Sequence, residues 1–117
     1  MAAPNIVNVA TITGKTAVQA VGTSATAIVT NSASSGKVFK VNALLVSNVD
    51  GINNAEITVD LYRSSTAYHL AKTVIVPADA TLDVLSKAIY LEEGDSLRLT
   101  ANAASDLEAV CSYEEIS

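Results

Sequence analysis

Ile57-Thr58-Val59-Asp60-Leu61-Tyr62-Arg63 alternates strictly between two sets of side chains. Successive side chains of a strand point to opposite faces, so Ile57, Val59 and Leu61 share one face and Thr58, Asp60 and Tyr62 the other. That is the period of a half-buried strand. Ser96-Leu-Arg-Leu-Thr-Ala101 repeats it, as does Thr81-Leu-Asp-Val84. Near the end, Leu107, Ala109, Cys111 and Tyr113 alternate with Glu108, Val110, Ser112 and Glu114. Residues 37–47 make a longer run that turns continuously apolar, the pattern of a central strand covered on both faces over residues 43–46. Residues 68–76 give another strand, which Pro77 ends because proline cannot donate to a ladder. Three further strands are expected over residues 5–13, 16–21 and 25–31.

The punctuation between these runs is turn chemistry. Gly14, Gly22, the Ser-rich stretch 32–36, Asp50-Gly51 with Asn53-Asn54, Ser64-Ser65, Glu93-Gly94-Asp95 and residues 103–106 recur about every 8–12 residues. The sequence therefore predicts an all-β chain: one antiparallel β-sandwich domain over residues 1–117, with about eight strands in a Greek-key or jelly-roll arrangement. Residues 1–6 read as an extended N-terminal arm that could add as a strand to a neighbouring subunit.

Composition narrows the function. The chain has 117 residues, 7 Lys+Arg against 12 Asp+Glu, a net charge of -5 and 50% apolar residues. High apolar content excludes intrinsic disorder. An acidic balance with dispersed basic residues argues against nucleic acid as a partner. No run approaches the ~18 consecutive apolar residues of a membrane helix, and no basic, apolar signal sequence opens the chain. The single cysteine rules out an internal disulfide.

Candidate chemistry is sparse. His69, the one histidine, sits in a predicted strand, and no serine lies in a Gly-x-Ser-x-Gly elbow. Cys111 falls on the apolar side of its strand, where a thiol is inert. One His and one Cys cannot build a tetrahedral zinc site from one chain, although His69 could hold a metal on an oligomer axis. The loop Asp50-Gly-Ile-Asn-Asn-Ala-Glu56 groups oxygen ligands, but without the spacing of a calcium loop. Glu92-Glu93 and Glu114-Glu115 are strand neighbours facing apart, and the glycines are scattered singly. The expectation is a protein that is not an enzyme, with no catalytic or metal residues, no cofactor, no membrane and no small-molecule substrate. Its work would be done by surfaces. Pro4, Ile6, Tyr62, Tyr68, Tyr90 and Tyr113 are the candidate interface residues, the tyrosines because each offers an apolar body and a polar tip.

Val59-Asp-Leu-Tyr-Arg-Ser-Ser65, Val76-Pro-Ala-Asp-Ala-Thr-Leu82, Ile89-Tyr-Leu-Glu-Glu-Gly-Asp-Ser-Leu97 and Cys111-Ser-Tyr-Glu-Glu-Ile116 resemble small virion structural proteins of marine tailed phages, including cyanophages. Residues 5–15, Lys37-Val-Phe-Lys-Val-Asn42 and Ser47-Asn-Val-Asp-Gly51 extend the likeness over most of the chain. The resemblance implies a component of the phage particle, made in the host cytoplasm. It favours a head decoration (cement) protein that binds the major capsid protein as a homo-oligomer, with a trimer favoured. The alternatives it leaves open are a tail, neck or fibre-associated adaptor and a host-surface glycan-binding module.

Overall fold

The computed structural model describes residues 4–117. Nine strands follow in chain order: β1 (Ile12–Ala20), β2 (Thr26–Thr30), β3 (Val38–Asn48), β4 (Ala55–Arg63), β5 (Thr66–Val76), β6 (Thr81–Asp83), β7 (Ile89–Leu91), β8 (Ser96–Ala101) and β9 (Leu107–Ile116). One sheet has the order β1-β9-β3-β6, with β7 also pairing with β3; the other has the order β2-β8-β4-β5. Every pairing is antiparallel.

The short strands β6 and β7 occupy successive stretches of one edge of β3, Leu45–Ser47 and Phe39–Val41. Counted as one broken strand, they reduce the domain to two four-stranded sheets. The pairings then nest: first with last, second with next-to-last, inward to the β4–β5 hairpin. That nesting is what a long hairpin leaves when it rolls up, so the connectivity is jelly-roll-like. The β4–β5 hairpin closes at Ser64 and Ser65, both with positive φ (51° and 61°), which gives the turn the twist of its flanking strands.

Alternation builds the core. Val41, Leu44 and Val46 of β3, Ile57 and Val59 of β4, Leu97 and Leu99 of β8, and Cys111 of β9 are all fully buried between the sheets. Each aliphatic side chain so buried contributes about 1.5–3 kcal/mol relative to exposure. Leu61, on the same face as Val59, is only half-buried but packs against this cluster.

Two asparagines clip the loops to the sandwich. Nδ2 of Asn31 donates to the carbonyls of Lys37 (2.9 Å) and Leu91 (3.0 Å), while its Oδ1 accepts from the Ser35 hydroxyl (2.6 Å). Asn48 uses Nδ2 on the carbonyls of Asn53 and Val76, both at 2.9 Å, and Oδ1 on the Asp50 N–H at 2.9 Å. Both residues are buried, so the loops they hold are fixed by satisfied polar groups.

The strands depart from the pattern reading in three places. Residues 5–13 and 16–21 do not form two strands: β1 runs unbroken through Gly14, and residues 5–8 close a turn in which the Asn8 N–H donates to the Asn5 carbonyl (2.9 Å). Of the arm expected over residues 1–6, residues 5 and 6 enter this turn, and residues 1–3 lie outside the described residues. Residues 43–46 are not covered on both faces: Leu44 and Val46 are buried, but Leu45 points outward and is exposed. Residues 89–91 form a strand that three residues were too few to announce.

Candidate functional site

The two outer faces of the sandwich differ in chemistry. On the β2-β8-β4-β5 face, charged groups pair with one another. Arg98 reaches across to Asp60, with Nε–Oδ1 at 2.9 Å, and its guanidinium lies 3.8 Å from the centre of the Tyr62 ring. Tyr62 is thus a stacking partner within the domain. At the end of this sheet Arg63 grips Asp95 through two hydrogen bonds of 2.8 and 2.6 Å and also reaches Glu92 at 2.8 Å. Burial opposes ionisation of Asp95, but the Arg63 hydrogen bonds, the Glu92 N–H and the Arg63 charge outweigh it and hold the carboxyl below its ordinary range. Arg63 is correspondingly raised, first by its hydrogen bonds to Asp95.

The β1-β9-β3 face is different. The register aligns Val18 with Val110 and Val110 with Leu45, three apolar side chains that are 74%, 42% and 39% exposed. The neighbouring row, Thr16, Ser112 and Ala43, is small and uncharged. An open groove of about 310 Å³ runs beside this row, lined by Val18, Gln19, Ala20, Glu108, Ala109 and Val110. Near the other end of β1 and β9, Lys15 and Lys37 both bind Glu115, at 3.0 and 3.1 Å. Burial works against the Glu115 charge, and the two lysines prevail, lowering its pKa.

The candidate interface residues do not form one patch. Tyr113 tilts against Phe39 at 5.6 Å between ring centres and packs on the core. Tyr68 on β5 and Tyr90 on β7 are exposed, on different sheets. Pro4 is half-buried and Ile6 exposed, ahead of β1 and at the turn over residues 5–8. Signals missed in the sequence were Val18, Val110 and Leu45, which only the register brings into one row.

The other candidates resolve individually. His69 is exposed on the edge strand β5, opposite Asp60 in the register. No group of three His, Cys, Asp or Glu side chains placed to hold a metal occurs among the described residues. Asp50 spends its carboxylate on its own loop: it accepts from the N–H groups of Ile52 (2.8 Å) and Asn53 (3.2 Å) and from Nδ2 of Asn53 (3.1 Å). Those bonds, the one from Ile52 foremost, lower its pKa and make loop 50–56 an Asx-type turn. Cys111 is fully buried, and desolvation pushes its thiol up to about 11. Among the described residues no helix is long and apolar enough to cross a membrane.

No protein-family model matches the chain, and no curated protein does. Among solved structures, it is similar in fold to a protein of the Bacillus endospore appendages, described as a family of disulfide-linked pili. That likeness has 13% identity and a TM-score of 0.53, and it covers 92% of this chain and 88% of the other. A pentameric capsid protein from metagenomic phage sequences aligns at 20% identity and a TM-score of 0.45, over 86% of this chain and 62% of its own length. A 4-keto-6-deoxy sugar epimerase from Streptomyces spheroides aligns at 21% identity and a TM-score of 0.34, over 91% and 45%.

Proposed function

We propose that this protein is a non-enzymatic structural component of a phage virion, a decoration protein that docks on the outer surface of the head lattice and stabilises it. The observation that carries the reading is the apolar row Val18–Val110–Leu45 on the outside of one sheet, which ends at Asp83 on β6. A chain of net charge -5 that sets three exposed apolar side chains side by side on one sheet face has a surface suited to contact with protein. The sequence resemblance to phage virion proteins supplies the setting, and the jelly-roll-like sandwich suits a unit used in many copies.

In this reading the partners are further copies of the chain and the major capsid protein, and the trimer favoured by analogy would be assembled on the particle, at a local three-fold axis of the lattice, rather than by the free chain. The spore-appendage protein shares the fold, but its pili are disulfide-linked. Cys111, the one cysteine here, is enclosed in the core and unsuited to such a bond.

Quantitative mass spectrometry of purified particles tests the role. Decoration predicts a copy number comparable with that of the shell protein, whereas a tail or neck part would be present in far fewer copies. His69→Ala should leave incorporation unchanged; loss of incorporation would give that histidine a role this reading denies it.

A further inference from the structure

Antiparallel ladders alternate between residues that bond to one neighbour and residues that bond to the other. On β1 the parity is fixed at both ends. The Thr11 N–H donates to the Ser117 carbonyl (3.0 Å), the Ser117 N–H donates back to Thr11 (2.9 Å), and the Val21 N–H donates to the Leu107 carbonyl (2.9 Å). Thr13, Lys15, Ala17 and Gln19 therefore bond to β9. Ile12, Gly14, Thr16, Val18 and Ala20 aim both their N–H and their C=O out of the sheet, where no strand among the described residues receives them.

An open row of this kind is a template for another strand, and proteins ordinarily blunt it. The other edges here are blunted. β2 has five residues and a register shift, β6 and β7 have three residues each, and β5 is interrupted by two shifts and by Thr73 at φ 48°. β1 has none of these devices: nine residues pair with β9 without a shift, and the strand contains no proline. Its one charge, Lys15, is held by Glu115.

We propose that β1 is a homotypic docking edge: two copies of this chain pair β1 against β1, antiparallel about a two-fold axis at Thr16, making one continuous sheet across the dimer. The parity requires outward residues to face outward residues, and the fullest overlap sets Thr16 opposite Thr16, Gly14 opposite Val18 and Ile12 opposite Ala20. The five outward residues of each copy then exchange about ten hydrogen bonds.

A second copy is the occupant that fits for two reasons. The outward residues of β1 carry no charge, and the nearest carboxylates on that face, Glu108 and Glu114, stand one strand back on β9. Ile12, 57% exposed, is placed by the same register beside the partner's Ala20, at the groove lined by Val18, Ala20 and Val110. An edge contact of nine residues is small by the standards of permanent dimers, which places its dissociation constant on the order of micromolar. The proposal goes beyond the virion reading and does not depend on it.

Sedimentation equilibrium of the full chain at about 1–100 µM tests it. A monomer–dimer equilibrium is expected. Thr16→Pro removes the outward N–H at the axis, and Val18→Lys sets a charge on the outward row; each should weaken association at least tenfold, with the circular-dichroism spectrum of the wild type retained. Thr16→Cys should be joined into dimers by a short bis-maleimide, and Thr66→Cys, at the start of β5, should not. A wild type that stays monomeric at 100 µM overturns the proposal. So does a dimer, or any larger oligomer, whose affinity is untouched by both Thr16→Pro and Val18→Lys. Either result would leave the copy number in particles, and hence the virion reading, to be judged separately.

Discussion

Replacing Asn48 separates hydrogen-bond satisfaction from simple packing. Its Nδ2 donates to the Val76 carbonyl in a buried setting and to the Asn53 carbonyl in a partly buried one, each at 2.9 Å. Asn48→Ala leaves both acceptors without that donor. Water reaches the exposed 50–54 loop more easily than Val76, so one fully orphaned carbonyl and one partly compensated one cost about 2–4 kcal/mol. Asn48→Asp keeps the shape but sets a carboxylate against two carbonyl oxygens, and its cost should exceed that of alanine at pH 7. A domain of this size loses about 4 °C of melting temperature per kcal/mol, so alanine should lower it by about 8–16 °C and aspartate by more. The sign with pH is also fixed. The carboxyl introduced by Asn48→Asp would be buried and have a raised pKa, so its penalty would be small at pH 4 and grow as pH rises above the unfolded value of about 3.9. Thermal and urea melts of both variants at pH 4 and pH 7 provide the assay. An aspartate variant within about 0.5 kcal/mol of wild type at pH 7, or one more stable than alanine there, would refute the reasoning.

Three further outcomes follow from the same geometry. Leu99→Ala should cost about 3–5 kcal/mol in urea melts and Leu61→Ala distinctly less, because Leu99 is fully enclosed and Leu61 only half-buried. Equal losses would mean that Leu61 is enclosed too. Asp95 and Glu115 have lowered pKa values in the folded chain, so the stability they contribute is complete above about pH 4.3 and is lost as pH falls through their folded values. Asp95→Asn should flatten part of that acid limb in pH-dependent melts, and an unchanged limb would show that Arg63 does not hold Asp95. The Cys111 thiol, raised to about 11, should react with a thiol reagent only as fast as the chain opens, and stability should decline above about pH 8.5, where the unfolded thiol ionises. Rapid labelling of the native protein at pH 8 would place Cys111 outside the core.

The alternation of Ile57, Val59, Leu97, Leu99, Ala109 and Cys111 made the core legible, because period-two patterning and burial are the same fact seen twice. The turn at Ser64-Ser65 was legible for a related reason: small polar residues tolerate the positive φ it uses. Gly14 misled, since the glycine sits inside β1 with nothing within 4 Å of a notional Cβ and marks no turn. Leu45 misled in the opposite direction. Its neighbours Leu44 and Val46 are interior, and a run of apolar residues conceals which member faces outward. Asn31, at the end of the strand expected over residues 25–31, and Asn48, just past the one over residues 37–47, carried no signal of their own, because their partners lie as far as 60 and 28 residues away. The row Val18–Val110–Leu45 was out of reach for the same reason: it exists only once three distant strands are in register.

The function proposed for this sandwich is to work through its outer surfaces as part of a particle. A cryo-electron microscopy reconstruction of purified particles of a phage encoding this chain tests that proposal directly. It should show this jelly-roll-like domain repeated over the head lattice, seated on the shell protein. Particles whose heads are fully accounted for without it would contradict the claim.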